Sequence, residues 1–132
     1  LANGRKAESL NPENALALWS ISISCFFHGD HANACVHAER AIQFSPSFAS
    51  SYMALGLGQV HSGDYQRAET TTLKALELSP ADPDLIHFLT NIFFACYGQQ
   101  RYEEALDALD KALHRHSNAA HILGFRAALW VI

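Results

Sequence analysis

Residues 52–80 read YMALGLGQVHSGDYQRAETTTLKALELSP, and this stretch decides the fold. Tyr52, Leu55, Gly56 and Gln59 fall at spacings of three and four, the signature of one face of a helix. Gly63 comes next, where a residue with positive φ closes a helix cheaply. Asp64 is placed as N-cap of a second helix, its carboxylate accepting orphan amide hydrogens. Ala68, Thr72, Ala75 and Leu78 form one face of that helix, and Pro80 ends the unit. Gly56, Ala68 and Ala75 are small enough to let the two helices approach closely. A large side chain at any of them would force the pair apart.

The pattern returns on both sides at a fixed step. Pro12, Pro46 and Pro80 stand 34 residues apart, as do Ala7, Ala41 and Ala75, and Leu10, Phe44 and Leu78. Gly29-Asp30 recurs as Gly63-Asp64, Ala34 as Ala68, and Ile21 as Leu55 and Leu89. A period of this length is the mark of a repeat array. The first copy predicts helices over about Glu13 to His28 and His31 to Phe44, the second over Phe48 to Ser62 and then to Leu78. In the third, Asp82 reads as N-cap with Pro83 in the first turn, and Ile86, Leu89, Ile92 and Phe93 carry the helix. Ala75 to Ala112 is 37 residues, so three extra residues are placed at the end of that helix, over Gly98-Gln99-Gln100-Arg101. A last helix is expected from Ala120 to Ile132, and a short helical remnant from Arg5 to Leu10. No strand is expected. The boundaries are then 1–14 for the end of a preceding repeat, 15–48, 49–82 and 83–119 for three repeats, and 120–132 for the first helix of another. The chain reads as a segment of a longer protein.

Composition narrows the function. Of 132 residues, 49% are hydrophobic and 17% charged, so apolar surface is left over for a partner or a second copy. The nine Lys and Arg residues are scattered and the net charge is −4, which offers no basic stripe for nucleic acid. The longest apolar run is too short to span a bilayer. Three cysteines, Cys25, Cys35 and Cys96, make an odd count without framework spacing. That suits free thiols in a reducing, cytoplasmic setting.

Tyr52-x2-Leu55-Gly56, Gly63-Asp64-Tyr65, Ala68, Ala75 and Pro80 resemble the tetratricopeptide repeat, whose pattern has this period. Gln59 and Thr72 depart from it, standing where the family carries aromatic residues; Ser22 and Thr90 take the small position of the other copies. The resemblance covers essentially the whole chain. It implies an all-α right-handed superhelix of antiparallel helix pairs, the first helix of each pair lining a concave groove. A finer resemblance rests on Leu78-Ser79-Pro80-Ala81-Asp82-Pro83, Phe88-Leu89 and Arg101-Tyr102-Glu103-Glu104-Ala105. These look like repeat regions of bacterial class III adenylate cyclases and winged-helix transcriptional regulators, which would imply a regulatory or oligomerising role.

Facing away from the helix-pair seams, the register places Leu16, Trp19, Ile23, Phe26 and Phe27, then Met53, Leu57, Val60 and His61, then His87, Asn91 and Phe94, and finally Leu123 and Trp130. This aromatic-rich lining suits an apolar helix or extended peptide of a protein partner. A covering by the parent protein, or by a second copy, explains it equally. Grooves that clamp a carboxylate carry Lys, Arg and Asn; only Asn91 fits here. Self-association is expected through this groove or through the last helix, which carries Ile122, Leu123, Phe125, Leu129, Trp130 and Val131.

Other clusters read as structural. Cys25, His28, His31, Cys35 and His37 share one helix-turn-helix, but Cys35 and His37 point to different sides, so no metal is expected. His114, His116 and His121 bracket a helix–helix turn. Gly56-Leu57-Gly58 lies mid-helix and lacks the strand and third glycine of a phosphate loop. Glu103, Glu104, Asp107 and Asp110 form a solvated face. Nothing in the register brings a nucleophile to a base, so no catalytic centre and no cofactor are expected.

Overall fold

The computed structural model describes residues 12–115. They form six helices: α1 Pro12–Phe27, α2 His31–Phe44, α3 Ala49–His61, α4 Tyr65–Leu78, α5 Leu85–Gly98 and α6 Tyr102–Arg115. No strand occurs among the described residues. The remnant expected over Arg5 to Leu10 and the helix over Ala120 to Ile132 lie outside them. Pro12 opens α1, a position where its missing N–H costs nothing.

Each helix packs most extensively on its immediate neighbours, and α1 with α3 and α3 with α5 make lesser contacts. That is a solenoid of antiparallel pairs, with α1, α3 and α5 side by side in one layer and α2, α4 and α6 in the other. Small residues decide the closeness of the layers. Ala34, Ala38, Ala41, Ala68, Ala75, Ala105 and Ala112 are all fully or almost fully buried on the second helices. Inside the first pair, the Ser22 hydroxyl donates to the Ala34 carbonyl at 2.6 Å. In the second pair, a Cβ on Gly56 would stand 2.3 Å from Thr72 Oγ1, so only glycine fits there.

The turn within each pair is three residues long every time. Gly29 and Gly63 hold it with φ of 82° and 83°; in the third pair Gln100 takes the same left-handed conformation at 61°. The extra residues of the third repeat are therefore not in that turn. They lie earlier. The α4–α5 connection, residues 79–84, is two residues longer than the α2–α3 connection, and α5 is one residue longer than α3. Packing confirms the shift. His31 of α2 meets His61 of α3, and its 34-residue equivalent Tyr65 of α4 lies against Gly98 of α5, 37 residues after His61.

Two caps differ from expectation. Asp30 caps α2, accepting from the Asn33 amide at 3.2 Å, with Asn33 Nδ2 on its other oxygen at 2.7 Å. These bonds hold the Asp30 carboxyl below its ordinary pKa. Asp64, in the same position before α4, makes no such bond and faces the Arg67 guanidinium instead. Asp82 is not the cap of α5. That position belongs to Asp84, and Pro83 stands before the helix. The Asp82 carboxylate accepts from the Asp84 amide and the Ser79 hydroxyl, both at 2.8 Å, and so folds the longer connection.

Candidate functional site

The layer formed by α1, α3 and α5 carries the candidate site. With α5 shifted by three residues, its side chains align in rows: Ile23, Leu57 and Phe94 in one, Trp19, Met53 and Thr90 in the next. Between them lies a cavity of about 250 Å³, walled by Ile23, Phe27, Met53, Leu57, His87, Thr90, Asn91 and Phe94. At one end Phe26 stacks edge-on to His61 at 4.7 Å and tilts against His31 at 5.2 Å. His61 Nδ1 donates to the Leu57 carbonyl at 3.0 Å, which fixes that ring. Phe27 is 78% exposed, the most open large apolar side chain among the described residues.

Several residues expected on the groove do not line the cavity. Val60 is buried between Ala68 and Ala95 in the seam of α3, α4 and α5. Trp19 is partly buried: it packs on Ala38, Ala54 and Leu55 and meets Phe48 edge-on at 6.0 Å. Leu16 is exposed on α1. His87 and Phe94 border the cavity, though not in the rows assigned to them at a constant 34-residue step. Asn91 borders it too, but it is only 2% exposed. Its Nδ2 donates to Thr72 Oγ1 at 2.6 Å, while its Oδ1 has no partner. Leu123 and Trp130 lie outside the described residues. Thr90 is a wall residue that the constant period hid.

The Cys25, His28, His31, Cys35 and His37 group does not converge as a ligand set. Among the described residues, one triple of potential metal ligands does: Glu69, Cys96 and Glu104, with ligand atoms within 4.8 Å of one another. The Arg101 guanidinium already occupies this position. It pairs with Glu69 at 2.5 Å and with Glu104, and Gln99 Nε2 donates to Glu69 at 2.9 Å. The arrangement is a clasp: it ties the α5–α6 turn to α4 and compensates both carboxylates. Burial, and then the Glu69 charge, push the Cys96 thiol pKa up. The Cys35 thiol is raised as well, chiefly by burial. Of the histidines in the second expected cluster, only His114 is among residues whose side chains are described, and it is exposed.

Residues 28–112 match the family described as anaphase-promoting complex, cyclosome, subunit 3. The chain belongs to that tetratricopeptide-type family. No curated protein matches it. Solved structures do. The first such repeat domain of the human RPAP3 protein superposes with a TM-score of 0.84 over 90% of this chain and 91% of its own, at 16% identity. The first repeat domain of Spaghetti (RPAP3), bound to the HSP90 peptide SRMEEVD, gives 0.83 over 91% of this chain and 93% of its own, at 15% identity. The TPR2AB domain of yeast Sti1, in a complex with pHSP90, gives 0.80 over 97% of this chain and 52% of its own, at 23% identity. At these identities the likeness is one of fold. No helix among the described residues is long and apolar enough to cross a membrane.

Proposed function

We propose that this segment is a protein-interaction module, without catalytic activity of its own, whose concave groove receives an apolar helix or extended peptide of a partner. The observation that carries the reading is the run of apolar side chains on three successive first helices, from the exposed Phe27 through the partly buried Met53 and Leu57 to Phe94, around a cavity of about 250 Å³. That volume is below the usual range for a small-molecule or cofactor site and suits one anchoring side chain. Two structural neighbours were solved with HSP90 or an HSP90 peptide in place. This groove has a different character. None of the residues around the cavity is Lys or Arg, and His87 is the one basic side chain in its wall, so the Lys and Arg clamp that grips a free carboxylate is missing there.

The test is selection of a displayed peptide library on the protein, with the enriched peptides measured against two variants. Leu57→Glu places a charge in the groove; Leu73→Glu places one on an exposed site of α4. The reading expects apolar peptides that lose binding tenfold or more to the first variant and keep it with the second. Enriched peptides that bind both variants equally would refute it.

A further inference from the structure

The second layer carries a surface of another kind. Its helices α2, α4 and α6 leave a trench between each successive two, floored by the first-layer helix that lies between them. Between α2 and α4 the wall is polar or charged throughout, with Glu39, Gln59, Thr70 and Thr71 among its residues. Between α4 and α6 the trench holds about 280 Å³, and Leu73, Leu76, Leu89, Ile92, Cys96 and Ala108 make most of its wall. The two trenches are copies of one place in the array. Leu73 stands 34 residues after Glu39, and Cys96 and Ala108 stand 37 after Gln59 and Thr71, the steps that relate these helices. The solenoid closes this place with polar side chains in one copy, so helix pairing does not by itself demand apolar ones in the next. Leu73 adds little to the core, since it is 49% exposed. A contiguous apolar strip that opens to water where the sister copy is polar marks a surface that meets something else.

We infer that the α4–α6 trench is a second docking surface, which takes a short amphipathic helix of a protein partner, apolar along one stripe and basic beside it. The inference is independent of the groove, which lies on the other layer. Shape argues for a helix. Two parallel helical ridges with a furrow between them receive the ridge of a third. An extended segment would find no backbone partners here, because amides and carbonyls in the middle of α4 and α6 are spent within each helix; a helix brings its own. A cavity lined by Leu85, Leu89, Asp110, Lys111 and His114 continues the trench, sharing Leu89 and Lys111 with it. From Glu104 to His114 is ten residues of α6, about 15 Å, so close to three turns of an inserted helix fit. Charge selects the flanks. Glu69, Glu104 and Asp107 set three carboxylates in the wall, against the ammonium of Lys111 and the Arg101 guanidinium that clasps the first two. One negative charge is left over. The Lys111–Asp107 pair, at 3.1 Å, is 66% and 65% exposed. So open a pair is weakly held, and a partner's Lys or Arg competes for Asp107 at little cost.

Synthetic peptides serve as probes. Three of them, each about fourteen residues long to support a helix, share leucines at i, i+4 and i+7. Their remaining polar positions are lysine, glutamate or glutamine. A fourth has the composition of the lysine peptide in an order without the stripe. Each is titrated into the labelled full chain, and backbone amides are followed by NMR. The inference expects the lysine peptide to shift Leu73, Leu89 and Lys111. It should bind about fivefold more tightly than the glutamate peptide, the worth of one exposed ion pair. The glutamine peptide falls between them, and the reordered peptide does not bind. Leu73→Gln weakens the lysine peptide about fivefold; the sister copy carries Glu39 at this place, so the fold survives the change. A reordered peptide that binds as well as the striped one shows charge attraction alone and overturns the inference. Unchanged binding in Leu73→Gln overturns it too, as does a glutamate peptide that binds as tightly as the lysine peptide. Shifts confined to Leu57 and Phe94 overturn the trench and favour the groove. No shift with any peptide overturns the trench and leaves the groove to its own selection experiment. Trench shifts on concentrating the protein alone replace the helix with a second copy and overturn the inference.

Discussion

Replacing Gly56 with alanine sets two effects against each other. In an exposed helix interior, glycine to alanine stabilises by about 1 kcal/mol. At this site the new Cβ would lie 2.3 Å from Thr72 Oγ1, 2.8 Å from Asn91 Nδ2 and 3.4 Å from the Ala68 carbonyl. Neither near neighbour is the loose end of a long side chain. Thr72 is fully buried and β-branched, so its rotamer is stiff; Asn91 is almost as buried and bonded to it. The helices must therefore separate, an overpacking cost of about 1–3 kcal/mol. The Asn91–Thr72 bond is strained or lost, which adds about 1–3 kcal/mol for polar groups left unpaired in the interior. The costs exceed the helical gain, and a net loss of about 1–5 kcal/mol is expected. Urea unfolding followed by circular dichroism measures it. The double variant Gly56→Ala with Thr72→Ala removes the clashing oxygen and should cost less than the sum of the single changes. A Gly56→Ala protein as stable as the wild type, or more so, would refute the account of this seam.

Four further outcomes follow from other parts of the chain. Asp30→Ala should lower the melting midpoint more than Asp64→Ala, because only Asp30 bonds to its helix amides. Its pKa is lowered on folding, so that stabilisation is present above the unfolded carboxylate pKa and fades as pH falls through the folded value; melting curves of both variants across the acid range read this directly. Gln100→Gly should stabilise by up to about 1 kcal/mol in urea unfolding, since glycine holds a positive φ without the steric cost that other residues meet. Cys96, 2% exposed and with a raised thiol pKa, should resist alkylation until the protein unfolds. The stability tied to its neutral thiol is lost as pH rises past the ordinary thiol range, so the alkaline fall in melting midpoint should be smaller in Cys96→Ala. The apolar residues over 120–132 lead us to expect a dimer by sedimentation that Trp130→Glu dissociates; a monomer at high micromolar concentration refutes this.

The helix pairs were legible because their signals are local. Gly29-Asp30 and Gly63-Asp64 mark turns through the backbone needs of one residue, and the buried alanines recur along the second helices, Ala34 and Ala41 as Ala68 and Ala75 at a step of 34 and then as Ala105 and Ala112 at a step of 37. Helix α2 begins and ends where the spacing predicts. The groove was less legible because its rows depend on register between distant helices. A constant 34-residue step carried from α3 into α5 put Asn91 in line with Leu57, and Phe94 in line with Val60, on the open face, although Val60 belongs to a seam and Asn91 reaches across to Thr72. The true equivalents, Thr90 and Phe94, follow only once the extra residues are located. Gly98 and Gln99 look like turn residues, and that chemistry drew the insertion to the wrong side of the helix. The clasp of Arg101 with Glu69 and Glu104 had no sequence signature, because Glu69 lies 32 residues from its partner.

The longer α4–α5 connection acts as a phase adjuster between two gratings. One grating is the residue count; the other is the physical ladder of side chains along the inner layer. Its slack, tied down by Asp82, supplies two of the three extra residues and so lets the first slip while the second stays in step. The side chains along α1, α3 and α5 therefore keep their rows even though the chain that supplies them is uneven. Lengthening or shortening this connection by a residue should leave the spacing of rungs intact, whereas the same edit in the three-residue turns would rotate every side chain beyond it. Room for change along the chain is thus placed in a connection between pairs and not in the turns within them.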